Sequence, residues 1–195
     1  MRLIPLIAGL LITLSAQTFA QEAPPVEVFG GYSYFRPDWG GNMHGWNASV
    51  AVNVKRWLGL VSDFGGHYGS QSSSLDFFND NFPIPVSIRT DSDANVHTFL
   101  FGPRVSYRRK GKLTPFAHTL LGASRVGART TIMSGSTSVN SSVSDIGFAM
   151  AVGGGVDLRL SESVGLRLIQ ADYLVTKFGG GSQSNVRLSV GFILH

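Results

Sequence analysis

Residues 186–195 constrain the chain more than any other stretch. Val186, Leu188, Val190, Phe192 and Leu194 alternate with Arg187, Ser189 and Gly191, a period of two that only an extended strand sorts into one apolar face and one small or polar face. A strand left unpaired with so clean an apolar edge invites aggregation. The sequence therefore predicts that this strand closes a barrel against the first one.

The same period recurs upstream. In residues 26–35, Val26, Val28, Tyr32 and Tyr34 oppose Glu27 and Ser33; in 46–54, Trp46, Val50, Val52 and Val54 oppose Asn47, Ser49 and Asn53. In 58–68, Leu60, Phe64 and Tyr68 oppose Val61, Asp63 and His67, and in 95–107 the face from His97 through Phe99 and Phe101 to Tyr107 opposes Thr98, Leu100, Gly102, Arg104 and Ser106. Residues 113–124 carry Phe116, His118 and Leu120 on one face, and 146–160 set Phe148, Met150, Val152, Val156 and Leu158 against Ala149, Ala151, Gly153, Gly155, Asp157 and Arg159. In 164–175 the parity is open: either Arg167 or the pair Gln170 and Asp172 faces inward unless a bulge intervenes, and Gln170 and Asp172 inward with Tyr173 outward is favoured. With 186–195, these segments predict an all-β fold, an eight-stranded antiparallel up-and-down transmembrane β-barrel.

The connections support that expectation. Longer ones (37–43, 69–93, 125–144, 176–184) alternate with tight ones (55–57, 108–112, 161–163), as in barrels with short periplasmic turns and long extracellular loops. Periodicity does not say which face is inside, but size does. The interior of an eight-stranded barrel is narrow, so the Gly, Ala, Ser and Asn face is expected inside. Tyr32, Tyr34, Trp46, Trp57, Tyr68, Phe99, Tyr107 and Tyr173 then form interfacial girdles.

The N-terminus predicts export. Arg2, the apolar run 4–14 and the small-x-small site Thr18, Phe19, Ala20 ahead of Gln21 have the pattern of a cleaved signal peptide, leaving 21–195 as one barrel domain. The chain has no cysteine, which excludes disulfides and thiol catalysis. Its net charge of +4 is spread along the chain, with one basic run at 108–112 that is expected to be a solvated turn beside lipid headgroups, and no nucleic-acid partner is predicted.

On these residues the chain resembles the small OmpA/OmpX-like outer-membrane barrels. The resemblance implies residence in the outer membrane of a Gram-negative-type bacterium, contact with its lipid, and recognition of the C-terminal strand by the barrel-assembly machinery. That machinery prefers an aromatic final residue, whereas this chain ends in His195 with Phe192 three positions earlier. Some eight-stranded barrels are lipid A-modifying hydrolases, but Phe116, Ala117, His118, Thr119 and Leu120 lack the His, Ser and Asn pattern of the lipid A deacylase barrels, and His97 and His118 fall on the aromatic faces as interfacial residues. No His-x-His or His-Glu-x-x-His motif occurs. No catalytic, cofactor-binding or metal residue is predicted.

Two groups of functional residues are expected. Glu27, Asp63 and Asp157 face Arg104, Arg159 and Arg187 in the lumen, where unpaired charge is costly enough to require pairing; in OmpA-like barrels such a network plugs the pore. Phe77, Phe78, Phe82 and Ile84, in the long loop 69–93, are more apolar than a solvated loop needs and form a possible extracellular contact. The function predicted is non-enzymatic: structural, or surface interaction above a largely plugged lumen. The alternatives are a lipid A-modifying hydrolase barrel and a secreted lipocalin-like binder.

Overall fold

Lipid offers backbone groups no hydrogen-bond partner, so strands cross it only as a ring without edges. The computed structural model describes residues 24–79, 82–108, 111–134, 137–179 and 181–195, with the side chains of 76–87 outside that description. Eight strands follow in chain order: β1 (Val26–Arg36), β2 (Met43–Asn53), β3 (Leu58–Asn79), β4 (Phe82–Ser106), β5 (Leu113–Ser134), β6 (Thr137–Arg159), β7 (Val164–Phe178) and β8 (Gly181–Leu194). Each pairs antiparallel with its chain neighbour. The terminal stretch closes the ring, with Tyr32 opposite Val190 and Tyr34 opposite Leu188.

The alternating faces sort as residue size requires. Val28, Tyr32, Trp46, Phe99, Phe101, Val152 and Phe192 are exposed on the outer wall, and Glu27, Ser33, Asn47, Asp63, Thr98 and Arg104 are buried inside. The lumen is not only small and polar, however. Phe35, Met43, Val96, Leu100, Leu120 and Leu174 pack there as an apolar cluster, and Phe29 and Phe116 are also buried.

The expected long loops 69–93 and 125–144 are not loops. β3 and β4 pair from Leu58 with Val105 up to Phe77 with Val86 and, after a shift of register, Asn79 with Phe82, and β5 and β6 pair continuously from Leu113 with Leu158 up to Ser134 with Thr137. β4 also pairs with β5 as far as Ile88 with Ser134. The result is a four-stranded sheet that continues past the barrel rim. Its Ser- and Thr-rich sequence weakens the alternation of hydrophobicity without breaking the alternation of side chains, because cross-strand pairing needs only extended backbone. The expected signal segment 1–20 lies outside the described residues, as do the side chains of Phe77, Phe78, Phe82 and Ile84.

Candidate functional site

The lumen is built around Arg187. One face of β8 aims it inward, and its guanidinium is fully buried between two carboxylates: Nη1 donates to Asp63 Oδ1 at 2.7 Å, and Nη2 and Nε donate to Asp172 Oδ2 at 2.7 and 2.9 Å. Asn47 Nδ2 donates to the other Asp63 oxygen at 2.9 Å. On Asp172, His118 Nε2 lies 2.8 Å from Oδ1 and Gln170 Nε2 donates to Oδ2 at 2.7 Å. Gln170 in turn accepts from Arg167 Nη1 at 2.6 Å, and Arg167 forks onto both oxygens of Asp157 at 2.8 and 3.1 Å. Asn47, Asp63, Arg187, Asp172, Gln170, Arg167 and Asp157 thus form one continuous chain of contacts.

Space for this network comes from glycine. A Cβ on Gly153 would lie 2.1 Å from Asp172 Oδ1, and one on Gly65 would lie 3.3 Å from Arg187 Nη1 and 2.7 Å from Thr98 Oγ1. The Gly153, Gly154, Gly155 run is therefore a packing feature. Arg167 is also held between Phe29 and Phe116, its guanidinium carbon 4.2 and 4.5 Å from the ring centroids, a stacking that offsets part of its desolvation.

A second cluster stands at the end with the tight turns. Glu27 is bound by both Arg104 and Arg108, and Asn53 Nδ2 donates to it at 3.0 Å. Among the described residues, the buried carboxylates Glu27, Asp63, Asp157 and Asp172 are each matched with one or more of the guanidiniums Arg104, Arg108, Arg167 and Arg187.

Of the six residues expected in the lumen, Glu27, Asp63, Arg104, Asp157 and Arg187 face inward in these contacts. Arg159 makes none of them: it shares the parity of Asp157 but is exposed at the end of β6, where it lines the mouth of the lumen with Glu27, Asp157 and His195. Arg167 lies on the facing strand instead. A bulge resolves the open parity of β7: Arg167 pairs with Gly191 and Gln170 with Ser189, so consecutive Leu168 and Ile169 both face outward and both alternatives point inward. His118 is not interfacial either. It shares the inward face of β5 with Phe116 and Leu120, buried against Asp172, whereas His97 lies on the outer wall beside Tyr68. Arg108 leaves the expected solvated turn to reach Glu27. It continues the inward parity of Arg104 and Ser106, the signal in the sequence that locates it.

A hydroxyl and an imidazole do meet in the lumen: His67 Nε2 lies 2.8 Å from Ser33 Oγ. Both residues are fully buried, His67 stacks under Phe35, and among the described residues His67 Nδ1 has no partner to orient it. A nucleophile–base pair needs such an orienting group and access to substrate, so this contact has the form of packing.

The family model described as "Outer membrane protein beta-barrel domain" matches residues 6–193. Among solved structures, the chain is similar to Ail, the attachment invasion locus protein of Yersinia pestis, in complex with the heparin analogue sucrose octasulfate (18% identity, 86% of this chain and 95% of that one, TM-score 0.50). It is also similar to OprG of Pseudomonas aeruginosa (14% identity, 89% and 96%, TM-score 0.47) and to Neisserial surface protein A (12% identity, 87% and 94%, TM-score 0.46). No curated protein sequence matches the chain.

Proposed function

The chain belongs to the outer-membrane β-barrel family and so resides in the outer membrane of a Gram-negative-type bacterium; from that premise we propose that it is a non-enzymatic surface-interaction protein whose lumen is plugged. The observation that carries this reading is the projecting sheet. β3 loses its β2 partner beyond Tyr68, and β6 loses its β7 partner beyond Phe148. Residues 70–79 and 137–147 therefore present unpaired backbone edges. Natural edge strands are usually protected by lysine, proline or a bulge. Along 137–147 the described residues offer one charge, Asp145. Such an edge suits an extended partner segment that adds a strand. Leu75, Ile132, Val139 and Val143, all exposed on the face that continues the lumen-side parity, supply apolar contacts.

The projecting end faces outward in this reading, and residues 1–20 are removed on export so that the mature chain begins at Gln21. An intact mass starting elsewhere would overturn that boundary. The lumen contacts support a plug because the charges are used in pairing and the apolar cluster fills the lumen beside them, with Leu100 in register with Asp63. The test compares cells displaying the intact chain with cells in which 71–91 and 127–142 are each replaced by a two-residue turn. Loss of adhesion to protein- and glycan-coated surfaces with a correctly folded barrel is expected. Equal adhesion, or large stable porin-like channels from the intact chain in planar bilayers, would overturn the reading.

A further inference from the structure

We propose that the outer wall of the barrel carries a lipid-phosphate site at Arg125 and Arg129, shaped for the bis-phosphorylated disaccharide headgroup of an outer-leaflet glycolipid. The two arginines share the outward face of β5 with Gly127 between them. Four residues along a strand place their Cα atoms about 13 Å apart, the span of a disaccharide with a phosphate at each end. Between them lies an open recess of about 510 Å³, walled by Asp93, Asn95 and His97 of β4 and by Ser142 of β6. The recess exists because position 127 has no side chain: a Cβ there would meet Asn95 Oδ1 at 2.8 Å.

Charge and height on the wall both point to a lipid. Both guanidiniums are exposed, and among the described residues neither forms an ion pair. The nearest carboxylate in register, Asp93, is the cross-strand partner of Arg129 yet makes no ion pair with it, and Asp91 is engaged with Arg89. Arg125 stands in register with His97 and Ile146, one step above the rung of Phe99, Ala123 and Phe148. Lys177, the register partner of Phe148, adds a third exposed cation nearby. Exposed Phe99, Leu121 and Phe148 lie below the arginines, so acyl chains on this wall would run down the apolar rungs while the phosphates meet the guanidiniums, which bind them in a forked geometry.

This site rests on the outward orientation proposed above, but its test does not. The folded chain is purified in detergent and offered three lipids with the same acyl chains: lipid A with two phosphates, with one, and with none. Retention is read by native mass spectrometry. At about fivefold per cation–phosphate contact, the wild-type chain should prefer the bis-phosphorylated over the unphosphorylated lipid by roughly 25-fold, with the monophosphate between. Arg125→Gln with Arg129→Gln should bring that ratio close to one. Lys55→Gln with Lys112→Gln, which removes the same charge at the opposite end, should leave it intact. A wild-type ratio near one overturns the proposal without any variant, as does a double arginine variant that retains the wild-type preference. Displacement of the lipid by millimolar inorganic phosphate would overturn the lipid assignment in favour of a free-anion site. Failure of cell-surface adhesion or orientation tests would leave these ratios unchanged, so the two readings fail separately.

Discussion

β3 to β6 each pass through two regimes, and the contrast between them separates what the fold needs from what the surface displays. In the wall, inward positions meet a closed lumen: Asp63, Arg104, His118 and Asp157 are buried and each has a named partner. Past the rim the strands and their pairing continue, but no core stands opposite either face, and Leu75, Val139 and Val143 are exposed at 59, 60 and 68%. The lower half is held by what its side chains touch. The upper half is held by backbone pairing and by contacts such as Thr131 to Asn140 at 2.7 Å.

Arg187→Ala tests the wall at its centre. It would leave Asp63 and Asp172 buried without their shared guanidinium, and removing one partner of a buried ion pair typically costs about 3–5 kcal/mol. Urea unfolding of the refolded barrel, followed by the gel shift between boiled and unboiled samples, should show that loss. An unchanged midpoint would mean that the lumen is wet enough to hydrate both carboxylates. Gly153→Val should act at the same place by overpacking, at about 1–3 kcal/mol or more, because its side chain would occupy the position of Asp172 Oδ1.

Arg104→Ala should cost less than Arg187→Ala. Glu27 keeps Arg108 and Asn53 when Arg104 is lost, so the carboxylate is not orphaned, and about 1–3 kcal/mol is expected for the buried partner removed. Adding Arg108→Ala should raise the cost beyond the sum of the two single changes, since only then is Glu27 left without a cation. Additive losses would show that Asn53 and solvent suffice. Planar-bilayer conductance should rise in the double variant before it rises in either single one.

Much of this was legible in the sequence, and the failures share a cause. Period two located eight strands, their closure and the outward aromatic faces, because a slip of one residue would carry an entire face into lipid. It also placed Glu27, Asp63, Arg104, Asp157 and Arg187 on inward faces. It could not tell strand from loop at 69–93 and 125–144, where both faces are solvated and hydrophobicity no longer marks the alternation. It misplaces His118 because a face shared with Phe116 and Leu120 reads as lipid-facing; the lumen accepts large apolar groups where glycines such as Gly155 stand opposite, a Cβ there meeting Phe116 Cζ at 2.9 Å. Arg167 and Gln170 both reach the lumen through one bulged residue of β7, which no pattern of alternation reveals in advance, and Arg159 stays outside the network because β6 ends there.

The smallest effect on stability is expected from the largest change in the chain. Replacing 71–91 by a two-residue Asn-Gly turn removes the upper half of the β3–β4 hairpin but no member of the lumen network and none of its apolar cluster. It also shortens the loop to be closed, a term that grows only by about 0.6 kcal/mol per doubling of length. The described side chains among those lost are exposed or half-buried, and an exposed ion pair such as that of Arg89 with Asp91 along β4 contributes little. The unfolding midpoint of the trimmed barrel should therefore match that of the intact chain, while external protease on whole cells, expected to cut the intact chain within 69–93, should no longer cut there. A large drop in midpoint would mean that the projecting sheet stabilises the wall beneath it, and the division between a stability half and a display half would have to be abandoned.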